Sequence, residues 1–121
     1  MRLAATVTAA LAAAAFASAA PATVTPPARL QVTAKEFYLA LSGRIVKPGP
    51  AIVELVNFGE DPHDLRLQRV GGTVVHRIPV VQPGTFRDLS LKLLPGRYKL
   101  WCGLPTHEAR GMKAFVIVRQ R

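Results

Sequence analysis

The chain has 121 residues, of which half are apolar, and its formal net charge is +9 at pH 7. That apolar fraction excludes an intrinsically disordered protein, and the length suits one domain. The positive excess suggests nucleic-acid binding, but we interpret the cations as scattered along the sequence, without regularly interleaved aromatic residues. These scattered cations include Arg66, Arg69, Arg77, Arg87, Arg97, Lys99 and Arg110. We therefore expect no nucleic-acid partner, and a basic surface that attracts acidic partners or anionic membrane faces.

Residues 1–19 have the features of a secretory signal peptide. Arg2 gives a positive start, residues 3–16 form an uncharged Ala-rich run, and Ala17-Ser18-Ala19 has the small residues of a cleavage site. The run is shorter than the roughly 20 residues that cross a bilayer. We therefore expect cleavage after Ala19 and a secreted or periplasmic protein, which also argues against nucleic acid. The alternative is an Ala-rich helix that belongs to the fold, although this segment has no polar face.

Residues 20–28 are rich in proline and threonine and predict a tether that joins the signal peptide to the folded part. The remaining residues, 29–121, are enough for a single domain. A domain of this size is marginal, so a bound metal could add to its stability.

Alternating apolar residues predict strands from residue 29 onward. Leu30, Val32 and Ala34 alternate with polar residues, and from Phe37 the alternation continues with its phase shifted by one. Such a shift indicates a bulge or a corner. Further strands are predicted over residues 51–58, 73–81, 89–93, 96–102 and 113–119.

Turn signals separate the predicted strands at intervals of about eight to twelve residues. They are Lys47-Pro48-Gly49-Pro50, Gly71-Gly72, Pro83-Gly84 and Pro95-Gly96. No apolar stripe with a helical period is present. This pattern predicts an all-β sandwich of about seven or eight strands.

Two residues with metal-binding side chains fall on the inward faces of their strands. A period of two places His63 on the same face as Leu65 and Leu67. The same test places Cys102 on the face of its apolar neighbours Tyr98 and Leu100. Each residue stands at a strand end, so the pattern predicts that both point into the sandwich.

The segment from Cys102 to Met112 has the spacing Cys-x4-His-x4-Met, with His107 in the middle. It contains the only cysteine of the chain and the only methionine apart from Met1. A thiolate and a thioether together favour copper, and the scarcity of carboxylates excludes calcium and magnesium. A trigonal copper site with a weak axial methionine needs a second imidazole, and His63 is the candidate.

These residues resemble the cupredoxins, the blue-copper family of plastocyanin, azurin and auracyanin. The resemblance is close at His63 and over Cys102 to Met112, and looser in strand pattern over residues 29–121. The gap of four between Cys102 and His107 is more similar to azurin and auracyanin than to plastocyanin. One departure is Asp64, where the family usually has an asparagine that ties the two ligand loops together. Aspartate can accept those hydrogen bonds but cannot donate an amide hydrogen.

The resemblance implies a Greek-key cupredoxin sandwich that holds one copper ion, which cycles between Cu(I) and Cu(II). The implied metal ligands are His63, Cys102, His107 and Met112. In the family, the histidine that corresponds to His107 lies nearest the surface and is the electron port within an apolar rim. Leu104, Pro105 and Pro62 are the residues available for such a rim.

The implied function is a one-electron carrier and not an enzyme. All four coordination positions are assigned, and no acid–base pair or Ser/His/Asp set is present elsewhere. The expected partners are redox proteins with acidic docking surfaces, and no nucleic acid. We expect a monomer without stable membrane insertion once the signal peptide is removed.

Other interpretations of the same residues remain open. The site could store or deliver copper without carrying electrons, or hold zinc at the same ligands. Alternatively, the chain could be a metal-free interaction sandwich in which Cys102 is an inert core thiol, Met112 fills a gap, and His63 and His107 are loop residues. A lone thiol in an exported protein is exposed to oxidation unless it is ligated or buried, which favours the metal. His76, with no second ligand near it in sequence, is expected to be an ordinary strand histidine.

Overall fold

The computed structural model describes residues 1–121 and contains nine β-strands and no helix. The strands are β1 (Ala28–Lys35), β2 (Tyr38–Leu41), β3 (Ile45–Val46), β4 (Gly49–Asn57), β5 (His63–Arg69), β6 (Val75–Val81), β7 (Phe86–Leu93), β8 (Gly96–Trp101) and β9 (Lys113–Val118). The predicted all-β sandwich is confirmed. Its strand count exceeds the expected seven or eight because β2 and β3 are short strands of four and two residues.

The strands form two mixed sheets. One sheet has the order β2-β1-β4-β7, and the other has the order β3-β9-β8-β5-β6. Parallel pairs join β1 to β4 and β3 to β9, while the remaining neighbours are antiparallel. Strands β5 and β8 are antiparallel neighbours in the five-stranded sheet. The start of β5 and the end of β8 therefore lie at the same end of the sandwich.

The shift in apolar phase after Ala34 has a different cause from the one predicted. It marks a hairpin, because β1 and β2 pair antiparallel with Lys35 opposite Tyr38. Only Glu36 and Phe37 connect the two strands. The expectation of a bulge or corner was therefore wrong, and the chain reverses direction at these two residues.

The core lies between the two sheets and is built from 19 buried apolar residues. They come from alternate positions, as in β1, where Leu30, Val32 and Ala34 are at most 2% exposed. Burial of a leucine or valine side chain contributes roughly 1.5–3 kcal/mol, so this core is the main source of stability. Cys102 and Met112 belong to the same cluster and are 0% exposed.

The outer face of the five-stranded sheet gathers cations that are far apart in sequence. Outward positions of β5, β6, β8 and β9 supply Arg66, Arg77, Arg97, Lys99 and Lys113. Trp101 lies between Arg66 and Lys113 in the strand register. The Arg97 guanidinium lies 3.8 Å from the centre of the Phe115 ring. The expectation of scattered cations without interleaved aromatics was therefore wrong for this face, which we call the basic face.

Residues 1–27 form no secondary structure, and all of their side chains are exposed. The proposed division into a signal peptide (1–19), a tether (20–28) and a domain (29–121) stays a prediction. No helix with the length and apolar character needed to cross a bilayer is present.

Candidate metal centre

His63 is the first residue of β5, and its position depends on the preceding loop. Asn57, fully buried at the end of β4, donates from Nδ2 to the carbonyl oxygens of Asp61 (2.8 Å) and Val81 (2.9 Å). Its Oδ1 accepts the N–H of Gly59 at 2.8 Å. Sequence reasoning missed this role of Asn57, although a polar residue that ends an apolar strand was the available signal.

The pairing of β5 is irregular between His63 and Leu65, so two consecutive side chains enter protected positions. His63 is 0% exposed and Asp64 is 8% exposed. The predicted inward orientation of His63 is confirmed. The burial of Asp64 was not anticipated, because strict alternation would place its side chain on the outer face.

Cys102 directly follows β8, and the loop from residue 102 to residue 112 folds back on itself through backbone hydrogen bonds. The N–H of Cys102 donates to the carbonyl of Met112, and the N–H of Met112 donates to the carbonyl of His107, both at 3.1 Å. The N–H of His107 donates to the carbonyl of Leu104 at 3.2 Å. Thr106 has a positive φ of 68°, which lets the loop turn back sharply. These bonds fix Cys102, His107 and Met112 relative to one another.

The structure brings one thiol and two imidazoles together. The Sγ atom of Cys102 lies 3.5 Å from Nδ1 of His107 and 4.0 Å from Nδ1 of His63. The two Nδ1 atoms are 3.3 Å apart. Donors that share one metal ion at about 2.0–2.3 Å lie about 3–4 Å from one another, so these three atoms fit a common ion. The fully buried Met112, bonded through its backbone to Cys102 and His107, joins the cluster.

Glu36, from the hairpin turn between β1 and β2, determines which ring nitrogen of His63 donates a hydrogen bond. Oε1 of Glu36 lies 2.9 Å from Nε2 of His63 and also accepts the N–H groups of Asp61 (2.7 Å) and Glu60 (2.9 Å). The N–H of Asp61 makes the largest contribution to lowering the pKa of Glu36 to about 2, with smaller contributions from Glu60 and His63. An ionised carboxylate only accepts hydrogen bonds, so Nε2 of His63 carries the proton. Its Nδ1 therefore presents a free lone pair to the cluster.

The chemistry of the donors fits a soft metal ion. Two imidazole nitrogens and a sulfur suit copper or zinc, while carboxylate ligands for calcium or magnesium are absent from the cluster. Burial raises the pKa of the Cys102 thiol, so the site stabilises the thiolate poorly without a nearby cation. His76 lies on β6 and is not part of the cluster, which agrees with its interpretation as a strand histidine.

Comparisons with known proteins identify the architecture. Auracyanin from Roseiflexus castenholzii aligns with a TM-score of 0.62 and 17% identity, covering 76% of this chain and 97% of auracyanin. Amicyanin from Paracoccus versutus aligns with a TM-score of 0.54 and 18% identity, covering 78% and 85%. A purple cupredoxin from Nitrosopumilus maritimus aligns with a TM-score of 0.53 and 19% identity, covering 73% and 97%. The chain has the cupredoxin fold. No protein-family model and no curated protein matches the sequence.

Within this cupredoxin fold, Asp64 connects the segment that carries His63 to the segment that carries Cys102. Its Oδ1 accepts the backbone N–H of Gly103, the residue after Cys102. Its Oδ2 lies 3.5 Å from Nε of Arg66. The expectation that aspartate can accept the hydrogen bonds made by the family's asparagine agrees with this contact. Its negative charge next to the thiol opposes thiolate formation, since the charge of Asp64 is among the causes that raise the pKa of Cys102, after burial.

The outer side of the candidate centre is partly covered by an aromatic residue. The ring of Phe37 meets His107 edge to face, with ring centroids 5.1 Å apart. The Arg110 guanidinium lies 4.7 Å from the centre of the Phe37 ring. His107 is half-buried, while Pro62 and Pro105 are exposed and Leu104 is half-buried. Sequence reasoning missed Phe37, because only the β1–β2 hairpin brings it to this end of the sandwich.

Proposed function

We propose that the protein is a type 1 copper protein that carries one electron at a time. The proposed ligands are His63, Cys102, His107 and Met112. The observation that carries the proposal is the convergence of the Cys102 sulfur with two imidazole Nδ1 atoms, at 3.5 and 4.0 Å. The fold is that of auracyanin, amicyanin and a purple cupredoxin, which supports the same interpretation. When bound, copper supplies the one-electron redox chemistry.

The contribution of the chain is to hold the donors before the metal arrives. Backbone hydrogen bonds connect Cys102, His107 and Met112. Glu36 holds the His63 ring through a hydrogen bond at Nε2, the ring nitrogen that points away from the cluster. A donor set fixed in this way moves little between two oxidation states, and a small rearrangement favours fast electron transfer. With four protein donors assigned, no coordination place remains for a substrate, so we propose a carrier and no enzyme.

Addition of Cu(II) to the metal-free protein tests the site. We expect an intense visible absorption from charge transfer between thiolate and copper, one copper per chain, and a higher melting temperature. Cys102→Ser should abolish the colour, while the matched histidine variant His76→Ala should keep it. A colourless protein with an unchanged melting temperature rejects the proposal. Stabilisation by zinc with no colour from copper would indicate a zinc site instead.

Electrochemistry tests the carrier role separately from copper binding. We expect reversible one-electron cycling with one copper retained in both oxidation states. Loss of the metal in one state, or ready transfer of Cu(I) to a chelating acceptor, would identify a storage or delivery protein. The proposed partners are redox proteins, with acidic docking surfaces that match the positive charge of the chain.

We also propose that residues 1–19 direct export and are then removed. The complete exposure of residues 1–27 supports this, since removal of the segment leaves the core contacts in place. Mass spectrometry of protein recovered from outside the cytoplasm should give a chain that begins at Ala20. A cytoplasmic protein that retains Met1 or Arg2 contradicts the proposal.

A further inference from the structure

The basic face places like charges next to one another with little compensation. Arg66 lies directly opposite Arg77 in the register of β5 and β6, and like charges in opposite positions destabilise a sheet. Two acidic side chains reach this face: Asp64 pairs with Arg66, and Glu108 pairs with Lys99. Arg77, Arg97 and Lys113 form no ion pair. The folded protein thus keeps three uncompensated cations on the face that also carries Trp101.

The excess of unpaired cations is confined to the basic face. The outer face of the four-stranded sheet does not share it. Its outward positions on β1, β4 and β7 carry both signs of charge. The cations are Arg29, Lys35 and Lys92, and the acids are Glu54 and Asp88. Because Glu54 and Asp88 are opposite each other in the register, the acids are concentrated at the middle of that face. An acidic partner would be repelled at the middle of that face. The basic face is therefore the one that suits it.

The basic face also adjoins the metal centre. Trp101 directly precedes Cys102, and the carboxylate of Asp64 accepts the N–H of Gly103 and forms an ion pair with Arg66. Glu108, which pairs with Lys99, directly follows His107. A partner seated on this face therefore lies next to both segments that hold the donor atoms.

We propose that the basic face docks an acidic protein partner whose carboxylates bind Arg77, Arg97 and Lys113. Arginine presents a planar fork of donors that matches a carboxylate, and two of these three free cations are arginines. A protein suits this face better than a lipid surface, because Lys99 lies 5.0 Å from the Trp101 ring and Arg97 lies over the Phe115 ring. Rings covered by cations are poorly placed to enter hydrocarbon. That the partner exchanges electrons rests on the proposed function, but the docking itself does not.

Trp101 is the only tryptophan of the chain, so its fluorescence reports binding at this face. The probe is poly-L-glutamate, titrated into the metal-free full chain at low ionic strength. Arg77→Glu combined with Arg97→Glu should weaken binding by at least about ten-fold, because each reversal replaces attraction by repulsion. The matched control, Lys35→Glu with Lys92→Glu, makes the same change of net charge on the opposite face and should weaken binding by less than about three-fold. Because no metal is present, a failure of copper binding does not affect this result.

Three outcomes overturn the proposal. The first is equal weakening by the two double variants, which would show that net charge alone decides binding. The second is a wild-type chain that does not change its Trp101 fluorescence with poly-L-glutamate. The third is tighter binding to phosphatidylglycerol vesicles than to poly-L-glutamate with the same dependence on Arg77 and Arg97, which would identify a membrane surface. If the charge-reversed variant does not fold, Arg77→Gln with Arg97→Gln tests the same contacts, and a loss smaller than about three-fold contradicts them.

Discussion

The Nε2 atom of His63 lies 2.9 Å from Oε1 of Glu36, so a hairpin turn 27 residues earlier holds a buried imidazole of the candidate centre. The side chain of Glu36 reaches this position because residue 59 is glycine: a Cβ atom there would clash with Oε1 of Glu36. The same oxygen accepts two backbone N–H groups of the loop before His63. Glu36 therefore acts on the centre through His63 and on the loop that carries it.

Replacement of Glu36 by glutamine should raise the reduction potential of the copper-loaded protein. The carboxylate places a negative charge behind His63 and favours the more positive oxidation state, so its removal favours reduction. Voltammetry on the purified protein measures the shift. Gly59→Ala offers a second route, since it displaces the carboxylate while leaving it in the chain, and it should shift the potential in the same direction. A lower potential in Glu36→Gln would contradict this role.

The same carboxylate predicts a dependence of stability on pH in the metal-free protein. The pKa of Glu36 is about 2 in the folded protein, below its ordinary value of 4.5. A lowered pKa stabilises the folded state fully above the unfolded pKa, and this stabilisation is lost as the pH falls through the folded pKa. The difference in melting temperature between wild type and Glu36→Gln should therefore be constant from neutral pH to about pH 5 and should shrink between pH 4.5 and 2. A difference that grows in that range would show that another group is responsible.

Two variants of Asp64 separate its hydrogen bond from its charge. Asp64→Asn keeps an oxygen that accepts the Gly103 N–H but removes the negative charge beside the Cys102 sulfur, so we expect a higher reduction potential and little loss of stability. Asp64→Ala leaves the Gly103 N–H without its partner and should cost about 1–3 kcal/mol in unfolding free energy. Denaturant unfolding and voltammetry measure the two effects. Equal potentials in wild type and Asp64→Asn would show that Arg66 already neutralises the carboxylate.

Strand periodicity was sufficient to predict where His63 and Cys102 point. Both follow from a period of two, because each residue continues an inward apolar row that the core requires. The meeting of these residues with His107 was predicted from the spacing of Cys102 and His107, from the need of a trigonal site for a second imidazole, and from the resemblance to cupredoxins, and the structure brings the three side chains together. Local pattern therefore gives the face of each side chain, while the pairing of distant strands determines which side chains meet.

The features that were not predicted depend on contacts between distant parts of the chain. Glu36 and Phe37 reach the centre only because a two-residue hairpin turn follows β1, and their sequence neighbourhood contains no metal-ligand pattern. The basic face depends on the register of three strands, β5, β8 and β9, which places Arg66, Trp101 and Lys113 in one row. No period within a single strand shows that these side chains are neighbours.

Met112→Leu tests the assignment of the thioether as the weak axial donor. Met112 is fully buried, and leucine has a similar volume, so the cost in unfolding free energy should stay below about 1.5 kcal/mol. We expect the variant to keep its copper and its colour and to have a higher reduction potential, because loss of the axial donor disfavours Cu(II). Voltammetry and metal analysis of the same sample check both expectations. A potential that falls would contradict the axial assignment.

His107→Gly should open the centre to an external ligand. The side chain is half-buried, and its Nδ1 lies 3.5 Å from the Cys102 sulfur, so removal leaves a gap that reaches the cluster from the outer side, next to the Phe37 ring. We expect the variant to lose the visible band of the wild-type protein and to regain it when imidazole is added. Imidazole should have no such effect on His63→Gly, because that side chain is 0% exposed and lies beneath Glu36. Recovery in both variants would show that His63 is as accessible as His107, and recovery in neither would contradict the role of His107 as the ligand nearest the surface.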